Sequence, residues 1–219
     1  MKKNIIVIAT AILFVVLFIV AASIYNSQKD KELSRSSLAN IEYMQRDYSP
    51  IFGSSDAKVT IVEFFDPACS TCSAFYPLVK KLMKAHPGKV NLVVRYLPLH
   101  NNSDVIVSIF EAARLQGRFW QTLERAYKTQ DSWIEHHTAI PEKFWSQLGG
   151  LGLDMEKLYV DIQRAEIAKR IKQDLLDAKQ LKVSKTPGFF VNGKPLVHFG
   201  YEQLKQLVES EVTAKYQQN

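Results

Sequence analysis

The chain has 219 residues, 47% apolar and 23% charged, which is material for a packed domain and not for a disordered polymer. Its net charge of +6 is spread out, with no dense basic stripe interleaved with aromatics, and that argues against nucleic-acid binding. Two cysteines exclude a disulfide scaffold, and one C-x-x-C cannot complete a four-cysteine zinc site. With His86, His100, His136, His137 and His198 scattered, neither a metal site nor a cofactor is expected.

Lys2 and Lys3 precede a run, Ile5 to Tyr25, that carries no charged residue. As a helix it would span about 31 Å, enough for the hydrocarbon core of a bilayer. Residues 1–25 are therefore expected to be a transmembrane anchor. The competing reading is a cleaved signal peptide ending near Val20-Ala21-Ala22-Ser23, although such apolar regions are usually shorter. No cysteine follows the run, so a lipid-modified N-terminus is not expected. Lys29, Lys31 and Arg35 nearly balance the leading lysines, but long domains are translocated largely regardless of flanking charge. Either reading puts the bulk of the chain outside the cytoplasm, where disulfides persist. Residues 26–49 read as a polar linker with a short amphipathic helix, or as a pairing helix for self-association.

Val59 to Asp66 reads as a strand with both alternating faces apolar, as in the middle of an α/β sheet. A helical pattern then runs from Cys69 to His86, with Pro77 inside it and Pro87-Gly88 ending it. Val90 to Leu97 is a second strand closed by Pro98. The region 102–183 reads as helices: one capped by Ser103 or Asp104 and ended by Gly117, one marked by Trp120, Leu123 and Tyr127, and one starting at Pro141. A long helix follows, capped by Asp154, with Leu158, Ile162, Ala165 and Ile171 on one face. Strand character returns at Gly188 to Val191, and Asn192-Gly193 is a strong hairpin signal with Pro195 to Phe199 as the return strand. Tyr201 to Tyr216 closes the chain as an amphipathic helix.

The two cysteines, Cys69-Ser70-Thr71-Cys72, sit where the first strand pattern gives way to the helical one. A cysteine in a first helical turn faces backbone N–H groups without intrahelical partners and the positive end of the helix dipole. Both favour thiolate, the form that attacks disulfides. Glu63, in the doubly covered strand, should have its pKa raised by burial, which suits it to exchange a proton with Cys72. The alternative for Glu63 is a carboxylate that reaches solvent or pairs with a lysine.

Three motifs in this order, Glu63-Phe64-Phe65 before Cys69, Pro77 within the helix, and Thr186-Pro187-Gly188-Phe189-Phe190-Val191-Asn192-Gly193, give the chain its likeness to a known family. It resembles the thioredoxin-like superfamily and, through its helical insertion, the DsbA-like extracytoplasmic thiol:disulfide oxidoreductases, over roughly 51–215. The resemblance implies an α/β thioredoxin-like fold made of 50–101 and 184–219, with an all-helical insertion at 102–183 and the N-terminal transmembrane helix ahead of it. It implies Cys69 as the more exposed nucleophile, Cys72 as its buried partner, and Pro187 as a cis-proline that presents backbone to substrate, with Thr186 tuning that contact. Reduced or unfolded extracytoplasmic polypeptides would be the substrates, and a membrane redox partner would re-oxidise the pair. The location implied is the bacterial inner membrane, single-pass, with the catalytic domain in the periplasm or extracytoplasmic space. Thr71 stands where the strongest oxidants of the family carry His, so a milder oxidant is expected. The same fold also serves reductases and isomerases. A non-catalytic reading, a tethered chaperone or Cu(I) carrier, rests on two thiolates suiting a soft ion.

Overall fold

The structure, a computed structural model, describes residues 13–25, 28 and 41–217. Met1–Ala39 and Asn40–Asn219 are two separate units. In the first, residues 13–25 are helical, and Leu13, Phe14, Leu17 and Phe18 are all more than half exposed. Among the described residues no helix is long and apolar enough to cross a membrane. The expected span over 1–25 lies partly outside those residues, as does most of the expected linker.

The second unit runs Ile51–Phe52 (β1), Val59–Phe65 (β2), Ser70–Ala85 (α1) and Val90–Tyr96 (β3). Ser103–Arg114 (α2), Phe119–Lys128 (α3), Gln130–Trp133 (α4), Ile134–Glu135 (β4), Thr138–Ala139 (β5), Pro141–Ser146 (α5), Met155–Asp161 (α6) and Ala165–Gln180 (α7) follow. Gly188–Val191 (β6), Lys194–Pro195 (β7) and Tyr201–Tyr216 (α8) complete it. The main sheet has the order β1-β3-β2-β6-β7, so β2 is its middle strand. β2 pairs in parallel with β3, and antiparallel with β6, with Glu63 opposite Val94 on one side and Phe189 on the other.

The two apolar faces of β2 enter different cores. Val59, Ile61 and Phe65 join α1 and the inserted helices around Val79, Phe110 and Trp133. Val62 and Phe64 join Met44, Val93, Phe190 and Ala178 of α7 on the opposite side. The alternation that made β2 look covered on both sides is this division of labour.

α7 meets the sheet with charge as well as apolar surface. Arg95 of β3 is fully buried; its Nη2 donates to Asp174 Oδ1 at 2.7 Å and to Asp177 Oδ2 at 2.5 Å, and its Nη1 to the Tyr43 carbonyl at 2.6 Å. Arg46 donates to Asp177 and the Tyr48 hydroxyl to Asp174, so the last residues of the segment read as a linker dock on the body. A second buried carboxylate, Glu111 of α2, accepts from Tyr96 Oη, Arg114 and Arg170, tying the inserted helices to β3 and α7.

Three readings need correction. The single long helix from Asp154 is two: Asp154 caps only α6, accepting from Lys157 N at 3.0 Å, and Arg164 is extended before α7 begins. The apolar period ran through the break because Ile162 and Ala165 happen to stay in phase. The insertion is not all-helical, since β4 and β5 form a small ribbon whose turn holds His136 and His137 at positive φ. The return strand is only Lys194–Pro195, with one further backbone bond from Leu196 N to the Phe189 carbonyl at 2.9 Å, and Val197 and Phe199 are left exposed.

Candidate active site

The site forms where β2 ends and α1 begins. Asp66 makes the turn between them. Its Oδ1 accepts from Ala68 N at 2.8 Å and Ser103 Oγ at 2.6 Å; its Oδ2 accepts from Leu99 N at 2.6 Å and His100 N at 2.8 Å and lies 2.7 Å from His100 Nδ1. A fully buried carboxylate thus ties the loop before Cys69 to the loop after β3. From the insertion, Gln130 Nε2 donates to the Pro67 carbonyl at 2.9 Å. Cys69 is left as the extended N-cap residue of α1, with no side chain capping the helix in its place.

Cys69 and Cys72 are both free thiols in this structure. Cys69 is 8% exposed and Cys72 is 0% exposed, so the nucleophile is less open than expected but remains the outer of the two. The hydrogen bond from the Cys72 thiol pulls the Cys69 pKa down to about 5 against the opposing effect of burial, helped by Thr186 and the backbone N–H groups of Cys72 and Thr71. Burial pushes the Cys72 thiol well up, and its bond to Cys69 and the charges of Glu63 and Cys69 add to that. One cysteine is thiolate at neutral pH and the other is thiol.

Glu63 lies behind them, 1% exposed, and its Oε1 has no hydrogen-bond partner among the described residues. Burial first, then the Cys69 charge, raise its pKa to about 8. The expectation of a carboxyl that holds its proton near neutral pH agrees with this geometry; among the described residues no lysine pairs with it.

Thr186 and Pro187 close the outer side. Their peptide bond is cis, and the Thr186 carbonyl lies 3.4 Å from Cys69 Sγ, accepting from the thiol when it is protonated. Gly188 follows because a Cβ there would stand 2.5 Å from Val183 Cγ1. A groove of about 640 Å³ runs from Thr71 past Thr186, Pro187 and Leu196 to Val197 and Phe199. The Phe75 ring of α1 packs against Phe199, tilted by 36° with centroids 4.7 Å apart, joining the cysteine helix to the groove wall.

All five residues singled out from sequence, Glu63, Cys69, Cys72, Thr186 and Pro187, therefore come together. Sequence reading missed Asp66, His100 and Gln130. The Asp66-Pro67 turn signal just before Cys69 was available for the first; nothing local marks the other two. Among the described residues no three His, Cys, Asp or Glu side chains are grouped so as to hold a metal ion.

A central β2 covered on both faces, a C-x-x-C at a helix start and a cis-proline facing it define a thioredoxin-like protein with inserted helices. A family model described as thioredoxin matches residues 45–210. The chain belongs to the thioredoxin family. It is 28% identical to a probable disulfide bond formation protein D of Bacillus anthracis, over 94% of both chains. It is 33% identical over 147 residues to a Na(+)/H(+) antiporter NhaA of Herminiimonas arsenicoxydans, covering 67% of this chain. The chain spans only 22% of the length of that antiporter. Among solved structures, a thioredoxin-like oxidoreductase from Silicibacter pomeroyi matches with a TM-score of 0.68 and 28% identity, over 77% of this chain and 95% of that one. BdbD from Bacillus subtilis matches in fold with a TM-score of 0.66 and 24% identity, over 75% of this chain and 93% of that one.

Proposed function

We propose that the protein is an extracytoplasmic thiol:disulfide oxidoreductase that passes a Cys69–Cys72 disulfide to reduced polypeptides. The observation that carries this is the asymmetry of the pair: an outer sulfur with a pKa of about 5 beside Thr186-Pro187, and a fully buried one backed by Glu63.

The chemistry follows from that asymmetry. A substrate thiolate attacks Cys69 Sγ, the Cys69–Cys72 bond breaks, and Cys72 leaves as a thiolate in a site that disfavours its charge. The Glu63 carboxyl gives it a proton. A second substrate thiolate attacks the substrate sulfur of the mixed disulfide, forming the product disulfide and releasing Cys69 as a stable thiolate. Two electrons have moved from substrate to the pair, and a membrane redox partner removes them to restore the disulfide. Extended polypeptide lies along the groove from Thr71 to Phe199.

Stabilising the released thiolate stabilises the reduced enzyme and makes the pair oxidising. A Cys69 pKa of about 5 lies between the roughly 7 of thioredoxin and the roughly 3.5 of DsbA, which supports a milder oxidant than the strongest of the family. The uncharged run from Ile5 to Tyr25 and the exposed apolar side chains of 13–25 support single-pass anchoring in a bacterial inner membrane, with 26–49 as the linker.

Alkylation trapping in cells, with a glutathione titration of the pair, tests this. The expected result is a mostly oxidised pair with a potential below about −120 mV and above about −270 mV. A mostly reduced pair would make the protein a reductase or isomerase. Disulfide transfer that survives Cys69→Ser would remove the thiol mechanism altogether.

A further inference from the structure

Glu63 regains its proton either from Cys72 when the pair is re-oxidised or from solvent, yet both its strand neighbours, Val94 and Phe189, are apolar and buried. Tyr127 of α3, from the inserted helices, packs on the face of β2 that carries Glu63. Its position is fixed from two directions. The Tyr127 ring lies 6.5 Å from that of Phe65, the next residue after Glu63 on the same face of β2. It also lies 5.5 Å from the ring of Tyr76, one helical turn beyond Cys72 on the same face of α1. Ser73 Oγ, 3.5 Å from the Tyr127 carbonyl, ties α3 to the first turn of α1. The Tyr127 ring therefore lies between Phe65, two residues after Glu63 on β2, and Tyr76, one turn after Cys72 on α1.

A path outward begins at the same place. The Tyr76 hydroxyl donates to Glu124 Oε1 at 3.0 Å, and Lys80 Nζ donates to the same oxygen at 2.6 Å, at the surface. Glu63 Oε1 is fully buried and has no hydrogen-bond partner among the described residues.

We propose that Tyr127 is a positioning residue for Glu63: its hydroxyl donates through one bridging water to the Glu63 carboxylate, and the Tyr76–Glu124–Lys80 chain beside it is the route by which Glu63 exchanges protons with solvent. The inserted helices then complete the proton-handling side of the redox centre as well as covering it. Burial, followed by the charges of Cys72 and Glu63, holds the Tyr127 phenol well above its ordinary pKa, so it acts as a donor that does not itself ionise. This rests on the thiol–disulfide reading for its use, but not for its test.

The test is Tyr127→Phe, which keeps the ring between Phe65 and Tyr76 and removes only the hydroxyl. The Glu63 carboxyl of the dithiol protein is titrated by carbon-13 NMR, a readout that needs no turnover. Loss of a donor to the charged form moves the Glu63 titration up by roughly one pH unit. An unmoved titration, with the fold intact by amide spectra, overturns the proposal. In disulfide transfer to a reduced peptide, Tyr127→Phe slows the step that protonates Cys72 by about tenfold, a fraction of the full effect of a general acid. The same change in a Glu63→Gln background has no further effect, because Tyr127 acts through Glu63; equal losses in both backgrounds also overturn it. A moved titration in a protein without transfer activity would sink the oxidoreductase reading and leave the Tyr127–Glu63 coupling standing.

Discussion

The opposite pKa shifts of Cys69 and Glu63 make opposite demands on stability as pH changes. Cys69 goes from an ordinary 9.0 to about 5 on folding. Between those limits the unfolded dithiol chain holds a proton that the native state lacks, so this group adds stability as pH rises and loses it as pH falls towards 5. Glu63 goes from 4.5 to about 8. Across that interval the native state holds the extra proton, so this group subtracts stability as pH rises through the folded value. Each proton contributes a slope of about 1.4 kcal/mol per pH unit. The Glu63 arm, fully buried, can reach about 5 kcal/mol, while solvent screening at the rim makes the Cys69 arm smaller. Urea unfolding of the dithiol protein from pH 5 to pH 8, with variant minus wild type compared, isolates each arm because the histidines cancel. Glu63→Gln removes the falling arm, so its stability should climb with pH relative to wild type. Cys69→Ser removes the rising arm, so its stability should drop with pH relative to wild type. Parallel curves for all three proteins would refute the reasoning, since neither group would then be shifted as its surroundings require.

Two further substitutions probe the frame around the pair. Asp66→Asn turns an acceptor towards the N–H groups of Leu99 and His100 into a donor, and should lower the unfolding free energy by about 3 kcal/mol; a loss below about 1 kcal/mol would mean that the turn does not depend on the carboxylate. Arg95→Met leaves Asp174 and Asp177 buried without their main cation and should cost about 3–5 kcal/mol by the same measurement. Adding Asp174→Leu and Asp177→Leu to Arg95→Met should recover a large part of that loss, because the penalty lies in the uncompensated charges and not in the missing ion pair.

How far the sequence could be read follows from the range of the forces that set each feature. β2, α1, β3 and α8 were legible because propensity and apolar period act within one element, and the bounds of α8 agree with the pattern from Tyr201 to Tyr216. The cysteine pair and Glu63 were legible because strand, turn and helix lie in one continuous stretch. Thr186 and Pro187 became readable only through the family likeness, since nothing local in 184–188 says that its carbonyl will face Cys69. Arg95 shows the limit from the other side. It sits inside the β3 strand pattern with nothing local to mark it, yet among the described residues it is the largest charged side chain fully buried, and its partners lie on a helix more than seventy residues on.

The break between α6 and α7 belongs to the same argument. An unbroken helix from Asp154 would satisfy the apolar period, but it would fix the face that Arg170, Asp174 and Asp177 present. With the chain extended at Arg164, α7 starts on its own axis and can direct those three side chains to Glu111, Arg95 and Arg46. Those bonds hold the helix whose C-terminus leads through Val183 to Thr186, and so set where the carbonyl beside Cys69 sits. Apolar periodicity carries no record of this, because the interactions that place the helix are between charges brought together only by the fold. The same holds for Tyr127, which the sequence marks as an inward helical residue and which only the folded structure places between Phe65 and Tyr76.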